Sequence, residues 1–137
     1  TAVEICDQAA DNELLWSAFV HGSGTGGTMM GIKRYIDHHN LNIDCVLTTP
    51  AEDAKSHGIQ GINDGADFLL EKELMDHVER VSTESAIERM QLFAKESGLL
   101  VGISSGANLI AAEAYVNKFK PDGIVITMLC DRGERYL

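Results

Sequence analysis

The chain has 137 residues, 45% of them hydrophobic and 23% charged, as is typical of one globular domain with a buried core. Its net charge of −10 argues against a surface for nucleic acid or anionic membranes. Neither a disulfide framework nor a zinc site is indicated, because the cysteines are odd in number and far apart, at Cys6, Cys45 and Cys130. We expect a protein of the reducing cytoplasm, without signal peptide or membrane span.

Apolar periodicity predicts helices alternating with strands along the chain. A helical pattern over residues 1–12 precedes a strand over 14–20, a helix over 28–39 and a strand over 43–47. Residues 48–67 are polar and glycine-containing, which predicts a long surface loop, and residues 68–76 are ambiguous.

In the second half we predict a short strand over 77–81 and a helix that Ser82 or Thr83 caps and Gly98 ends. The apolar face of that helix is predicted from Ile87, Met90, Leu92 and Phe93. A short buried stretch over 99–103, an alanine-rich helix to about residue 118 and a strand over 124–130 follow. This order predicts an α/β fold with three layers, in which a parallel sheet lies between helices.

A glycine-rich loop joins the first predicted strand to the next helix, in the segment His21-Gly22-Ser23-Gly24-Thr25-Gly26-Gly27-Thr28. Glycines let the backbone approach an anion closely, and the start of the helix presents free N–H groups to it. Thr25 and Thr28 add hydroxyl donors. The loop therefore predicts a phosphate site, although a tight turn that binds nothing is the alternative.

The residues of this loop distinguish between three phosphate chemistries. A triphosphate-binding loop requires Gly-Lys-Ser/Thr, which Gly27-Thr28-Met29 does not match. The dinucleotide pattern G-x-G-x-x-G is formally present, but Asp44 precedes its strand and is misplaced for a ribose. A single phosphate monoester fits the residues better than a pyrophosphate.

A second helix start with exposed donors follows the buried stretch, in the segment Ser104-Ser105-Gly106-Ala107. Both helix starts should lie at the carboxyl ends of parallel strands, where open α/β sheets bind ligands. Ser104 is therefore a candidate ligand-binding residue, and a plain helix cap is the alternative for it. The five histidines show no i, i+4 pairing typical of a metal site, so we expect no bound metal and interpret as surface residues His21, His38, His39, His57 and His77.

Four segments, in this order and approximate spacing, resemble the cysteine synthase (O-acetylserine sulfhydrylase) family, one of the fold-type II pyridoxal-phosphate enzymes, which include cystathionine β-synthase. They are Gly24-Thr25-Gly26-Gly27-Thr28, Ile59-Gln60-Gly61-Ile62, the stretch from Gly98 to Ala107, and the ending from Asp131 to Leu137. The resemblance covers essentially the whole chain. It implies a Rossmann-like half of the fold and pyridoxal 5′-phosphate as cofactor.

The resemblance also implies roles for individual residues. The cofactor's 5′-phosphate would be held by Gly24, Thr25, Gly26, Gly27 and Thr28. Ser104 would hydrogen-bond the pyridine nitrogen, and Gly61 and Ile62 would belong to the loop that meets the amino-acid substrate. A hydroxyl leaves that nitrogen largely unprotonated, and the moderate electron sink that results suits β-elimination.

Two departures from the family pattern bear on function. Gly61-Ile62 is followed by Asn63 rather than a second glycine, and the segment before Phe68 is longer than the pattern, which leaves the substrate open. The family's Schiff-base lysine and its substrate-binding asparagine loop belong to an earlier part of the chain, and no lysine here stands in a matching context. We therefore interpret residues 1–137 as the C-terminal part of the large cofactor-binding domain, with no catalytic residue of its own.

Two hypotheses about function follow, one for an enzyme and one for a non-catalytic binding module. The first is a fragment of a β-replacement enzyme that makes cysteine and acetate from O-acetylserine and sulfide and works as a homodimer when complete, with cystathionine β-synthase-like or other β-elimination chemistry as the neighbouring possibility. In that case this chain alone should be inactive. The second is a non-catalytic module that binds a phosphorylated small molecule or a partner protein.

Overall fold

The computed structural model describes residues 1–53, 56–62 and 69–136, and of 135 and 136 it describes only the backbone. The helices and strands, with two short 3₁₀ turns at Lys72–Leu74 and Gly133–Tyr136, are α1 (Ala2–Asp11), β1 (Trp16–Gly22), α2 (Gly27–His38), β2 (Asp44–Pro50), β3 (His77–Val81), α3 (Thr83–Ser97), α4 (Ile103–Phe119) and β4 (Ile124–Thr127). In these ranges no helix combines the length and apolarity needed to cross a bilayer.

The strands form one parallel sheet in the order β3-β2-β1-β4. Gly22 lies beside Thr48, and Pro50 beside Val81, so β1, β2 and β3 end at the same edge. The segments that follow these strands therefore meet at that carboxyl edge, which is where ligands bind in open α/β sheets.

Side chains alternate across the sheet and bury a separate apolar cluster on each face. On one face Phe19 and Cys45 pack with residues of α1 and α2 such as Ala9 and Ile32. On the other face the buried cluster joins strand residues to α3 and α4, and it contains Ala18, Val20, Val46, Val81, Ala86, Ala107 and Ala111. The three-layer α/β prediction is confirmed.

The first strand begins later than the apolar pattern predicted. Leu14 and Leu15 are 46% and 83% exposed and precede β1, because the chain turns at Glu13, which has a φ of 56°, after α1. The amide of Leu14 donates to the carbonyl of Ala9, so it terminates the helix rather than entering the sheet.

The second strand is longer than predicted. Thr48 and Thr49, which we assigned to a surface loop, are buried within β2 and pair with Glu79 and Arg80 of β3. The β-branched threonines fit this pleated surface, and Pro50 is the last residue of the strand. The described part of the remaining loop includes two buried side chains, Ile59 and Ile62.

The predictions for two other apolar stretches are only partly confirmed, since Val101 is buried and β4 exists but the bounds of both stretches differ. Leu99 is 56% exposed, and in the stretch 99–103 only Val101 makes a bridge, antiparallel to Arg132, while Ile103 already belongs to α4. The last strand ends at Thr127 rather than at Cys130. The backbone beyond it bonds to side chains of α4 instead of a neighbouring strand.

The boundaries of α3 follow the predicted caps. Ser82 is the N-cap and accepts a hydrogen bond from the Ser85 amide, and Gly98 ends the helix with a φ of 75°. Its predicted apolar face is only partly buried, because Leu92 is 48% exposed. Helix α3 packs through Ala86 against Gly106 of α4, where the backbones of the two helices approach closely.

Candidate functional site

The glycine loop connects the carboxyl end of β1 to the amino end of α2 and lies tightly against neighbouring backbone. Gly26, the N-cap of α2, has a φ of 87°, and a Cβ atom there would lie 2.5 Å from the Leu70 nitrogen. A Cβ atom on Gly24 would lie 3.2 Å from the Gly61 carbonyl oxygen. Glycine is therefore required at Gly26 for both conformation and space.

The start of α2 supplies hydrogen-bond donors to a cavity of about 50 Å³ lined by residues 21–29. No side chain caps this helix, so the first-turn amides lack acceptors within the described part of the chain. Thr25 and Thr28 are exposed, and the Ser23 Oγ atom is buried without a hydrogen-bond partner among the described residues. Because neither Lys nor Arg lines it in that part, an anion there would be held by dipoles and hydroxyls.

An adjoining cavity of about 460 Å³ opens at the same edge of the sheet. It brings together residues from segments far apart in sequence. Its described lining consists of His21, Gly22, Gly24, Thr25, Gln60, Gly61, Ile62, Ser104, Asn108, Cys130 and Asp131. Of the predicted site residues, Gly24, Thr25, Gly61, Ile62 and Ser104 therefore meet here, while Gly26, Gly27 and Thr28 line the smaller cavity.

Ser104 is not a helix cap. The N-cap of α4 is Gly102, which precedes it by two residues, and Ser104 lies within the first turn with only 4% of its surface exposed. Ser104 and Cys130 both line the wide cavity, and Ser104 affects the Cys130 thiol. Partial burial raises the pKa of that thiol, and Ser104 opposes the increase. Ser104 therefore belongs to the lining of the wide cavity and is not the residue that caps the helix.

Gly61 and Ile62 form the third side of the cavity. Gly61 has a φ of 83°, and a Cβ atom added to it would have nothing within 4 Å. Ile62, in contrast, is buried, and its side chain occupies the space beside Gly22. Residues 63–68, where the family pattern is interrupted, lie outside the described residues.

Asn108 is a site residue that sequence reasoning missed. It is fully buried, and its Oδ1 atom accepts a 2.9 Å hydrogen bond from the Gly22 amide at the end of β1. Its Nδ2 atom donates to the Met128 carbonyl at 3.0 Å, just beyond β4. The sequence feature that could have identified it is its position four residues after Ser104, which places both residues on the same face of an alanine-rich helix.

His21 was interpreted as a surface residue, which is wrong. It is half-buried and lines both cavities. The distance from its Nδ1 atom to the Nδ2 atom of Asn108 is 3.3 Å. Burial lowers the pKa of His21 to about 4. The imidazole is therefore neutral at physiological pH.

Lysine does not line either cavity in the described part of the chain. Lys33, for example, donates a 3.0 Å hydrogen bond to Asp37 on the surface of α2, and that bond is the main cause of its raised pKa. Lys55 lies outside the described residues. In the described part of the chain these two cavities thus offer donors for an anion and a ring-sized space, but no amine.

The chain is similar in sequence to cysteine synthases of two bacteria. Over 100% of its length the chain is 45% identical to cysteine synthase B of Campylobacter jejuni, and over 88% it is 35% identical to a cysteine synthase of Staphylococcus aureus. It spans less than half of these relatives, 47% and 41%.

Solved structures with the same fold include a hydrogen sulfide-producing enzyme from Fusobacterium nucleatum, with a TM-score of 0.88 and 33% identity over 98% of this chain and 43% of that one. O-acetylserine sulfhydrylase isoform 3 from Entamoeba histolytica has a TM-score of 0.83 and 31% identity, over 99% and 42% of the two chains. An O-acetylserine dependent cystathionine β-synthase from Helicobacter pylori has a TM-score of 0.83 and 32% identity, over 99% and 46%.

The family model described as pyridoxal-phosphate dependent enzyme matches residues 1–131, which is nearly the whole chain. The match includes the glycine loop, Gly61, Ile62 and Ser104. With the parallel sheet and the two adjoining cavities at its carboxyl edge, this match establishes that the chain belongs to the pyridoxal-phosphate dependent enzyme family.

Proposed function

We propose that residues 1–137 form the C-terminal part of the large cofactor-binding domain of a cysteine synthase, which makes cysteine and acetate from O-acetylserine and sulfide. The observation that carries the proposal is the meeting of the glycine loop, Gly61-Ile62 and Ser104 around one cavity. The 45% identity to a cysteine synthase B over the full chain supports this activity.

The residues fit pyridoxal phosphate on structural grounds. A phosphate monoester would be held by the loop from Gly24 to Thr28, where an uncapped helix start and the orphaned Ser23 hydroxyl supply donors. Phosphate held this way needs no cationic side chain, which agrees with a protein of net charge −10. When bound, the cofactor supplies the electron sink that stabilises negative charge at the substrate's α-carbon.

Ser104 would orient and tune the ring through its hydroxyl. A hydroxyl can donate a hydrogen bond to a pyridine nitrogen without transferring its proton, so that the nitrogen stays largely neutral. The buried position of Ser104 strengthens such a bond, since water competes for it poorly. We propose Gly61 and Ile62 as the side of the cavity that the amino-acid substrate approaches.

Proton transfer at the substrate's α-carbon requires a base, and no lysine lines either cavity in the described part of the chain. We propose that this base is the lysine of the family's N-terminal half, since the chain spans less than half of its relatives. The 137-residue chain by itself should accordingly show no cysteine synthesis.

Cystathionine β-synthase chemistry is less well supported, because identity to the Helicobacter pylori enzyme is 32% against 45% for the cysteine synthase B. A non-catalytic module is disfavoured by the family match over residues 1–131. We further propose that the complete enzyme is a cytoplasmic homodimer that acts on small molecules. Three free thiols are compatible with a reducing compartment.

The phosphate loop is tested by Gly27→Asp in the complete enzyme. Gly27 is exposed, and a Cβ atom added to it would have no other atom closer than 3.8 Å. It is the first residue of α2, where the helix dipole stabilises a carboxylate. The variant should therefore fold at least as well as the parent. It should nevertheless lose bound pyridoxal phosphate, because the new carboxylate competes for the same amides and repels the phosphate.

The matched control is Gly31→Asp, which adds the same charge one turn further along α2, where nothing lies within 4 Å. It should retain the cofactor. Cofactor content is measured by absorbance of the purified proteins, and folding by circular dichroism. Equal cofactor content in Gly27→Asp and Gly31→Asp would refute the proposed phosphate site.

A further inference from the structure

The orientation of the Asn108 amide is determined by two backbone groups of opposite kind. Its Oδ1 atom accepts from the Gly22 amide at 2.9 Å, and its Nδ2 atom donates to the Met128 carbonyl at 3.0 Å. A flipped amide would put N–H against N–H and oxygen against oxygen, so only this orientation satisfies both partners. The residue is fully buried, and water does not offer an alternative partner.

This orientation determines the tautomer of His21. The second Nδ2 hydrogen of Asn108 is directed between His21 Nδ1, at 3.3 Å, and the weaker acceptor Cys130 Sγ, at 3.8 Å. Since an amide nitrogen only donates, Nδ1 must accept, and the single proton of a neutral imidazole must then be on Nε2. The lowered pKa of His21, caused by burial, agrees with this neutral form.

The Nε2–H group has no hydrogen-bond partner among the described residues, although His21 lines both the phosphate-loop cavity and the wide cavity. The Phe19 ring, 5.9 Å away between centroids, packs on the imidazole and offers no acceptor. The other titratable side chains described around the cavity are Cys130 and Asp131, both after β4. A donor at the junction of two cavities is thus left for a ligand.

We propose that Asn108 is a positioning residue that holds His21 as the Nε2-protonated imidazole, and that this Nε2–H group donates a hydrogen bond to an oxygen of the ligand in the cavity. The inference rests on the proposed function in that it takes pyridoxal phosphate as this ligand. A neutral donor binds an oxygen acceptor without adding a charge that would change the protonation of the ligand's ring.

The tautomer is tested by ¹⁵N NMR of the His21 ring in the complete protein without added cofactor. The parent should show an unprotonated Nδ1 and a protonated Nε2. In Asn108→Asp, one carboxylate oxygen still accepts from the Gly22 amide, but the donor to Nδ1 is lost and an acceptor replaces it. The proton should then move to Nδ1, and the pKa of His21 should rise from about 4 towards or above its usual value.

Asn12→Asp is the matched control. Asn12 is exposed and donates to the Gln8 carbonyl at the end of α1, so the same chemical change there should leave the His21 spectrum unaltered. An Nδ1-protonated His21 in the parent, or the same spectrum in Asn108→Asp as in the parent, would overturn the inference.

The donor role is tested by pyridoxal phosphate binding to His21 variants, measured as a dissociation constant. In His21→Gln the side-chain amide reaches the position of Nε2 and keeps a donor, and affinity should remain within about threefold of the parent. In His21→Leu the donor is lost, and binding should weaken about tenfold. Equal affinities of His21→Leu and the parent would overturn the donor role.

Cofactor binding and the position of the His21 proton are measured separately. If the parent does not bind pyridoxal phosphate, the proposed function fails, and the donor role with it. If the parent binds pyridoxal phosphate but carries the proton on Nδ1, the proposed function stands and the inference about Asn108 and His21 fails.

Discussion

The Tyr115 hydroxyl donates a 2.6 Å hydrogen bond to the Asp44 carboxylate. Asp44 begins β2 and therefore lies at the amino edge of the sheet, opposite to the glycine loop. The formal match to a dinucleotide fingerprint would have made this carboxylate a ribose ligand. Its position confirms the interpretation that Asp44 is misplaced for a ribose, and its contact with α4 gives it a structural role.

Tyr115→Phe should reduce the free energy of unfolding by about 1 to 2 kcal/mol at pH 8, since it removes a bond from a buried hydroxyl to a partly exposed carboxylate. Burial, and then the bond to Asp44, raise the pKa of Tyr115. A raised pKa means that stability from this group is present below the unfolded value of about 10 and is lost as pH rises beyond it. Urea denaturation of both proteins at pH 8 and pH 11 measures the difference, which should shrink at pH 11. A difference that grows with pH would contradict the assignment.

Gly106→Ala should destabilise the protein by about 3 kcal/mol or more. A Cβ atom on Gly106 would overlap the Ala86 carbonyl oxygen and come within 3.1 Å of the Met90 nitrogen, so α3 and α4 would have to separate. Backbone atoms cannot move aside as a flexible side chain can. Urea denaturation of the parent and of Gly106→Ala measures the change in the free energy of unfolding.

Gly31→Ala serves as the control for helix propensity. Gly31 lies inside α2, without a positive φ and with nothing within 4 Å of an added Cβ. Alanine there should stabilise the protein by about 0.5 to 1 kcal/mol. If Gly31→Ala and Gly106→Ala changed the free energy of unfolding with the same sign, the close approach of α3 to α4 would not be the cause of the effect of Gly106→Ala.

Ser104→Ala in the complete enzyme should retain the cofactor, because the phosphate loop is untouched, but slow acetate release from O-acetylserine by roughly tenfold or more. Release is measured in single turnovers without sulfide. Ser17→Ala is the matched control, since Ser17 accepts a 2.8 Å hydrogen bond from the Gly123 amide beside the start of β1 and thus also loses one bond. Ser17→Ala should lose stability and keep the rate. A normal rate in Ser104→Ala would leave this serine without a role in the reaction.

The sequence by itself determined the features that depend on neighbours along the chain. The glycine loop, the Ser82 and Gly98 caps of α3 and the alternation of helices with strands depend on residues within one or two turns of each other. Local conformational preference and apolar period are sufficient for such features. The resemblance of four ordered segments added the cofactor family, which the match over residues 1–131 confirmed.

Only the tertiary structure decided the features that depend on partners distant in sequence. Thr48 and Thr49 look like loop residues until β3 pairs with them, and Leu99 looks buried although no strand covers it in the described part of the chain. Asn108 reaches the Gly22 amide across 86 positions, and the half-buried His21 contacts the same Asn108 side chain. Burying the Asn108 amide costs free energy unless its hydrogen bonds are replaced, and its partners are placed by the packing of the sheet against α4.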